Sequence, residues 1–140
     1  MTNIAEKNIA FFDSGVGGLT VLQKFRYLMP NENFIYFGDL KNSPYGDKTK
    51  SELLNIADKV FKFLETKKVK AVIMACNTTS ANVYNEFKDN YSFKVYPIIQ
   101  SCAKVISQQN IKNIVVMATS ATVYSKAYTR ELTKYNSDLI

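Results

Sequence analysis

The sequence predicts an α/β protein whose parallel sheet carries helices on both faces. Short runs of β-branched and aromatic residues alternate with longer amphipathic segments, and this β-α pattern occurs five times in 140 residues. The short runs are almost continuously apolar, as the strands of a sheet covered on both faces are. The length suits a single core, and no repeat, low-complexity segment or flexible linker interrupts the pattern.

The strands follow from the apolar runs. They are predicted at Ile9 to Phe12, Asn33 to Phe37, Ala71 to Ala75, Lys94 to Pro97 and Asn113 to Met117. An α/β sheet binds ligands beyond the carboxyl ends of its strands. The loops that follow these strands are therefore the places to look for function.

The helices follow from the amphipathic segments. They are predicted at Leu19 to Met29, Thr49 to Thr66, Ala81 to Asn90, Ser101 to Gln109 and Thr122 to Tyr135. In the second helix one stripe is apolar and predicts a core face, formed by Leu53, Ile56, Val60, Phe63 and Leu64. Pro30 ends the first helix, and Thr49 with Glu52 forms a capping box for the second.

The charge distribution argues against a nucleic-acid partner. The net charge is +6, but the lysines are scattered, and the densest group is only Lys67, Lys68 and Lys70. The two arginines, Arg26 and Arg130, are few for a protein that reads phosphates and bases. A solvated basic face is the favoured interpretation.

The two cysteines, Cys76 and Cys102, are too few for a disulfide scaffold, and the chain contains no histidine. Zinc sites and Ser-His or Cys-His catalysis are therefore not expected. The first ten residues lack the pattern of a signal peptide and no apolar segment is long enough to span a membrane, so we expect a cytoplasmic protein without membrane association.

The first predicted strand is followed by Asp13-Ser14-Gly15-Val16-Gly17-Gly18. Glycines allow a tight turn and leave backbone amides free to face an anion. The spacing departs from the GxGxxG dinucleotide fingerprint, so a nucleotide site is disfavoured. A tight turn without a ligand is the alternative.

Two further loops follow predicted strands. The second strand ends in a long loop that contains the turn Ser43-Pro44-Tyr45-Gly46. The tyrosine of this turn can lean over a neighbouring pocket; the alternative is an ordinary surface turn. The third ends in Cys76-Asn77-Thr78 before a helix. A helix N-terminus favours a reactive thiolate, whereas a buried cysteine also serves simply as a small apolar residue.

Together these three motifs, with Tyr36-Phe37-Gly38-Asp39, strongly resemble the glutamate racemase family. The resemblance extends from Ile9 to about Tyr135. It implies a cofactor-independent isomerase that supplies D-glutamate for peptidoglycan, and hence for cell wall and cell shape. It also implies the first domain of a two-domain, pseudo-symmetric fold plus the start of the second, divided here as residues 1–98 and 99–140.

The resemblance also implies roles for individual residues. Cys76 is one of two catalytic bases. The remaining residues are expected to contact the amino and carboxylate groups of glutamate: Asp13, Ser14, Pro44, Tyr45, Gly46, Asn77, Thr78 and, less strongly supported, Thr119 and Thr122. No metal and no cofactor is expected.

The sequence departs from the family at the second base. The family carries a second cysteine in a Cys-Thr-His segment, which this sequence lacks, and Cys102 lies in a helix start that predicts core packing. The family's first domain is also completed by a segment from the end of its chain. We therefore expect a truncated racemase, inactive alone, that forms a homodimer or pairs with a missing C-terminal half. The alternative is a remnant that only binds carboxylates or oligomerises, and aspartate is the less favoured substrate.

Overall fold

The structure is a computed structural model that describes residues 7–111 and 113–135. Four strands, β1 (Ile9–Asp13), β2 (Phe34–Gly38), β3 (Ala71–Met74) and β4 (Lys94–Pro97), form one parallel sheet in the order β2-β1-β3-β4. Ile9 is paired with Phe34 on one side and Ala71 on the other, and Ala71 is paired in turn with Lys94. The predicted fold class and the first four strands are confirmed to within one residue at each end.

Helices cover the sheet on both faces because β2 is added on one side of β1 and β3 on the other. The helices are α1 (Leu19–Leu28), α2 (Lys50–Thr66), α3 (Asn77–Asn82), α4 (Tyr84–Phe87), α5 (Ile98–Ser107), α6 (Ser120–Tyr124) and α7 (Ala127–Thr133). The crossover from β1 to β2 runs one way and that from β2 to β3 runs back past β1. With right-handed crossovers, α1 and α2 then lie on opposite faces.

The larger core lies between the sheet and α2. Ala10 and Phe12 of β1 pack there with Leu53 and Leu64 of the predicted apolar face of α2. Phe61, which the prediction omitted, is also fully buried in this core, whereas the predicted Phe63 is 42% exposed. The helix begins with the predicted capping box: the Thr49 hydroxyl accepts the Glu52 amide, and the Glu52 carboxylate accepts the Thr49 amide at 2.8 Å. These contacts fix the segment that follows the loop after β2.

The other face of the sheet is less completely covered. Phe11 of β1 packs on Phe25 of α1 in an edge-to-face contact at 5.1 Å. Beside it runs an open groove of about 820 Å³, in which Tyr96 of β4 is half exposed. The alternation along β4, with Lys94 and Tyr96 exposed and Val95 buried, reflects this difference between the faces.

One predicted strand and three predicted helices differ from the structure. The predicted fifth strand at residues 113–117 has no regular secondary structure, and Val115 and Met117 are 88% and 94% exposed. Among the described residues it has no neighbouring strand to pair with, and an apolar run does not form a strand alone. The helix predicted from Ala81 to Asn90 is divided into α3, which begins at Asn77 directly after Cys76, and α4, which ends at Phe87.

The last predicted helix is divided. Lys126 adopts a left-handed conformation with φ of 52°, which separates α6 from α7. The helix predicted from Ser101, which is α5 in the structure, begins at Ile98 instead. The domain division at residues 98 and 99 therefore falls just inside α5 and stays a prediction. Within the described ranges, no helix combines the length and apolarity that a membrane span requires.

Candidate functional site

Three loops meet at the carboxyl edge of the sheet because all four strands are parallel. They follow β1, β2 and β3, whose order places β1 between the other two. The connections after β1 and β3 lead to opposite sides of the sheet, and such a topological switch point opens a crevice between the loops. Here Ser14 follows β1 and Cys76 follows β3, and the Cys76 thiol donates to Ser14 Oγ at 3.5 Å.

The first loop is built around the Asp13 carboxylate. Its Oδ2 accepts hydrogen bonds from the amides of Gly18 at 3.0 Å and Gly15 at 3.3 Å, and from the Tyr36 hydroxyl at 3.1 Å. Gly18 is required by space, since a Cβ there would lie 2.8 Å from Ala75 Cβ and 3.0 Å from Asp13 Cβ. The buried carboxylate is thus held in one position by its own loop and by β2.

Cys76 lies at the bottom of this edge. It is the residue before the first turn of α3, with extended backbone, and its side chain is almost fully buried. Among the described residues, the one hydrogen-bond partner of its thiol is the Ser14 hydroxyl. The second cysteine, Cys102, is half-buried on α5, and neither forms a disulfide. The core packing predicted for Cys102 is therefore only partly met.

The loop after β2 is fixed from below by Tyr45. The Tyr45 ring packs edge-to-face on Phe12 at 6.4 Å, and its hydroxyl donates to Asp39 Oδ2 at 2.6 Å. Asn42 holds the same carboxylate through its side-chain amide at 2.8 Å. The expectation that the ring leans over a pocket is wrong, because the ring is buried in the core and serves to anchor the loop.

The opposite wall comes from the start of α6. The amide of Ala121 donates to the Gly46 carbonyl at 3.1 Å, and a Cβ on Gly46 would lie 2.9 Å from two carbon atoms of Thr119. The loop after β2 and the segment before α6 are therefore in direct contact. A side chain at Gly46 would force them apart.

Three threonine hydroxyls form a triangle beside this contact. Thr119 Oγ1 lies 3.0 Å from Thr78 Oγ1 and 3.1 Å from Thr122 Oγ1, and Thr122 donates to Thr78 at 3.5 Å. Asn82 ties the same elements, because its side-chain amide donates to the carbonyls of Thr78 and Ala121. The two weaker sequence candidates, Thr119 and Thr122, thus contact a stronger one.

Asn77 is exposed and lines a cavity of about 380 Å³ together with Thr78, Thr119 and Tyr128. The Tyr128 hydroxyl of α7 donates to Asn77 Oδ1 at 2.6 Å, which fixes the orientation of the side-chain amide. Burial, followed by the neighbouring Cys102, raises the pKa of Tyr128 to about 12. This phenol therefore remains a hydrogen-bond donor at neutral pH.

Between these walls lies a cleft of about 420 Å³ that we call the rim cleft. It is lined by Ser14, Ser43, Pro44, Tyr45, Gly46, Asp47, Thr78, Ala118, Thr119 and Ser120. Most of these lining residues carry hydroxyl groups. Cys76 adjoins the lining because its thiol donates a hydrogen bond to Ser14. Such a cleft suits a small polar molecule with several oxygen atoms.

Every sequence-predicted site residue lies at this edge of the sheet, but four contributors were missed. Asp39 and Tyr36 anchor loops, and Asn82 and Tyr128 orient the residues after Cys76. Asp39 could have been predicted from the sequence, because it follows β2 as Asp13 ends β1. The other three residues contact partners on separate elements, and no sequence pattern indicates those contacts. The described residues contain no cluster of three or more potential metal-binding side chains.

Curated and solved proteins resemble this chain in sequence and fold. A glutamate racemase of Thermoanaerobacter sp. strain X514 is 43% identical over 125 residues, which are 89% of this chain and 46% of that protein. A Francisella tularensis glutamate racemase solved with D-glutamate superposes with a TM-score of 0.89 at 35% identity, covering 96% of this chain and 51% of that one.

The Aquifex pyrophilus glutamate racemase gives a TM-score of 0.90 at 35% identity over 95% of this chain and 53% of its own. The chain thus spans about half the length of the relatives it matches. No family model matches it.

Proposed function

This chain is homologous to the glutamate racemases over about half of their length, and we propose that it provides one half of such an enzyme. In this proposal Cys76 is one of two acid/base groups that interconvert L- and D-glutamate without a cofactor. The observation that carries the proposal is the meeting of Cys76, Asp13–Ser14 and the threonine triangle at one rim. The D-glutamate would serve peptidoglycan synthesis in the cytoplasm.

The chemistry requires what this rim offers. Racemisation removes the weakly acidic α-proton from one face of the amino acid and returns a proton to the other. Cysteine acts as the base in its thiolate form, and the Ser14 hydroxyl, 3.5 Å from the sulfur, can then donate to that thiolate. Hydroxyl and amide donors around the cleft stabilise the substrate carboxylates and the charge that develops during proton removal.

The substrate groups can be assigned to residues in and beside the rim cleft. Asp13 directly precedes Ser14, the hydrogen-bond partner of the Cys76 thiol, and is assigned with Ser14 to the ammonium group. The backbone of Tyr45 and Gly46, the Asn77 amide and the three threonines are assigned to the two carboxylates. Pro44 shapes the turn that brings Tyr45 and Gly46 to the cleft.

One base does not complete the reaction. The sequence contains two cysteines, and Cys102 lies on α5 beside Tyr128 rather than at the rim cleft. Inversion needs acid/base groups on opposite faces of the α-carbon. The opposing group in this proposal is therefore supplied by another polypeptide segment, and the chain of 140 residues alone does not racemise glutamate.

A chimera tests the proposal. This chain is fused to the half of the Thermoanaerobacter sp. glutamate racemase that it does not match, and D-glutamate formation is followed by chiral chromatography. We expect activity that Cys76→Ser abolishes and Cys102→Ser retains. Aspartate offered in parallel measures the substrate preference.

A folded chimera that binds glutamate but does not racemise it would favour the alternative, a carboxylate-binding remnant. In that case Asp13→Ala should abolish binding while Cys76→Ser leaves it unchanged. A folded chimera that neither binds nor converts either amino acid would refute the proposal.

A further inference from the structure

Tyr36 is a strand residue whose hydroxyl reaches the candidate site from the neighbouring strand. It lies on β2 in register with Phe11 of β1, and its ring packs in the smaller core with Ile9, Phe11 and Ile73. Its hydroxyl extends past the end of β1 and lies 2.9 Å from the Gly15 carbonyl and 3.1 Å from Asp13 Oδ2. A single phenol therefore contacts both the backbone and the carboxylate of the first loop.

The two oxygens of the Asp13 carboxylate differ in their surroundings. Oδ2 accepts the Tyr36 hydroxyl and the amides of Gly15 and Gly18, whereas Oδ1 accepts no hydrogen bond from residues 7–111 or 113–135. A carboxylate oxygen that already has three donors has little capacity for a fourth. The second oxygen is the one available to a ligand.

The loop is packed against the phenol oxygen. A Cβ on Gly18 would lie 3.1 Å from the Tyr36 hydroxyl oxygen, so the turn passes directly over it. Burial, and then the charge and hydrogen bond of Asp13, raise the pKa of Tyr36 to about 12. The phenol therefore keeps its proton at neutral pH and acts as a donor.

We propose that Tyr36 is a positioning residue that holds Asp13 with Oδ2 occupied and Oδ1 directed to the ammonium group of an amino-acid ligand. This inference rests on the function proposed above. Removing the phenol oxygen leaves Asp13 Oδ2 with only the two backbone donors of its own loop, so that the carboxylate rotates more freely. The loss then falls on ligands that carry an ammonium group and not on ligands that carry only carboxylates.

The test uses the 140-residue chain and two ligands that differ in the ammonium group alone. Glutamate and glutarate are titrated into the wild type, Tyr36→Phe and a control, Tyr91→Phe, by NMR. The control also removes a phenol-carboxylate hydrogen bond, that of Tyr91 to Asp58 at 2.9 Å, but away from the rim cleft. The amide signals of Gly15 and Gly18 report on their hydrogen bonds to Asp13.

We expect Tyr36→Phe to weaken glutamate binding about five- to tenfold, the equivalent of one lost hydrogen bond, while glutarate binding stays within twofold. The Gly15 and Gly18 amide signals should shift in Tyr36→Phe and stay in place in Tyr91→Phe. A merely structural role would weaken both ligands equally.

Two results overturn the inference: equal losses for both ligands, or unchanged glutamate binding with unmoved amide signals. If the wild type binds neither ligand, the ammonium assignment fails for this chain, whereas the proposed function is decided separately by the chimera. In that event the amide signals alone decide whether Tyr36 holds Asp13.

Discussion

The Tyr45 hydroxyl offers the sharpest test of how the site is held in place. Tyr45→Phe removes one oxygen atom, which lies 2.6 Å from Asp39 Oδ2, and leaves the ring in its contact with Phe12. Both partners are buried, with 2% of Tyr45 and 6% of Asp39 exposed. The substitution therefore deletes a single buried hydrogen bond to a carboxylate and leaves apolar packing unchanged.

The size of the effect follows from the burial and the remaining partners. A hydrogen bond to a charged group contributes about 1.5 to 3 kcal/mol to stability. Asp39 keeps the two contacts of the Asn42 side-chain amide, so it is not left without donors. We expect the free energy of unfolding at pH 7 to fall by about 2 kcal/mol, with an unchanged denaturant slope.

The same phenol predicts a pH dependence. Burial, followed by the hydrogen bond and charge of Asp39, raises the pKa of Tyr45 above its ordinary value. The unfolded chain releases this proton near pH 10, whereas the folded chain keeps it, so stability is complete below pH 10 and declines above it. At pH 11 the wild type has lost about 1.4 kcal/mol that Tyr45→Phe cannot lose.

The assay is urea unfolding followed by circular dichroism at pH 7 and pH 11. The stability difference between the wild type and Tyr45→Phe should shrink from about 2 to about 0.6 kcal/mol. The control, Tyr27→Phe, changes a residue that is 82% exposed and should match the wild type within about 0.5 kcal/mol at pH 7. An unchanged urea midpoint at pH 7, or a difference that stays constant at pH 11, would refute the reasoning.

Two other substitutions, one of them with a glycine control, test the walls of the site, and a third tests the cap of α2. Gly46→Ala places a methyl group against Thr119 and should destabilise the chain by about 1 to 3 kcal/mol in urea, whereas Gly15→Ala, with open space around it, should cost less than 1 kcal/mol; equal effects would contradict the close contact. Thr122→Val removes a buried hydroxyl from the threonine triangle and should lower the free energy of unfolding by about 1 to 2 kcal/mol, so an unchanged urea midpoint would count against it. Thr49→Ala removes the capping box and should cost about 1 kcal/mol, and retention of full thermal stability would show that the cap contributes nothing.

The sequence predicted the parts of the fold that depend on local pattern. The first four strands are mostly apolar runs, so the local composition predicts them. The capping box is also local, because Thr49 and its partner Glu52 are three residues apart. The fifth strand failed because an extended segment is stable only beside another strand, which the pattern of Asn113 to Met117 does not encode. The break at Lys126 depends on the left-handed backbone conformation of that one residue, which the amphipathic pattern of the segment does not predict.

The site was predictable as a set of loops but not as a geometry. Parallel strands bring their carboxyl ends to one edge, so Asp13 and Cys76 were placed together correctly. The strand order decides which loops are neighbours, and it comes from packing rather than from any motif. For the same reason Tyr36, which reaches Asp13 from 23 residues away, and the inward direction of the Tyr45 ring were not predictable.

The arrangement of the rim cleft also constrains what one thiol can do. Cys76 and Ser14 come from adjacent strands and lie on one side, while the facing wall consists of Thr119 and Ser120 hydroxyls with the Gly46 backbone. Hydroxyl groups of serine and threonine do not act as proton carriers at neutral pH without an activating base. Under the proposed function, a proton that Cys76 removes is therefore returned from the side it left. In deuterated water we expect any α-deuteration of glutamate by this chain to proceed with retention, so deuterated product of inverted configuration, detected by chiral chromatography and mass spectrometry, would show that a second base is already present.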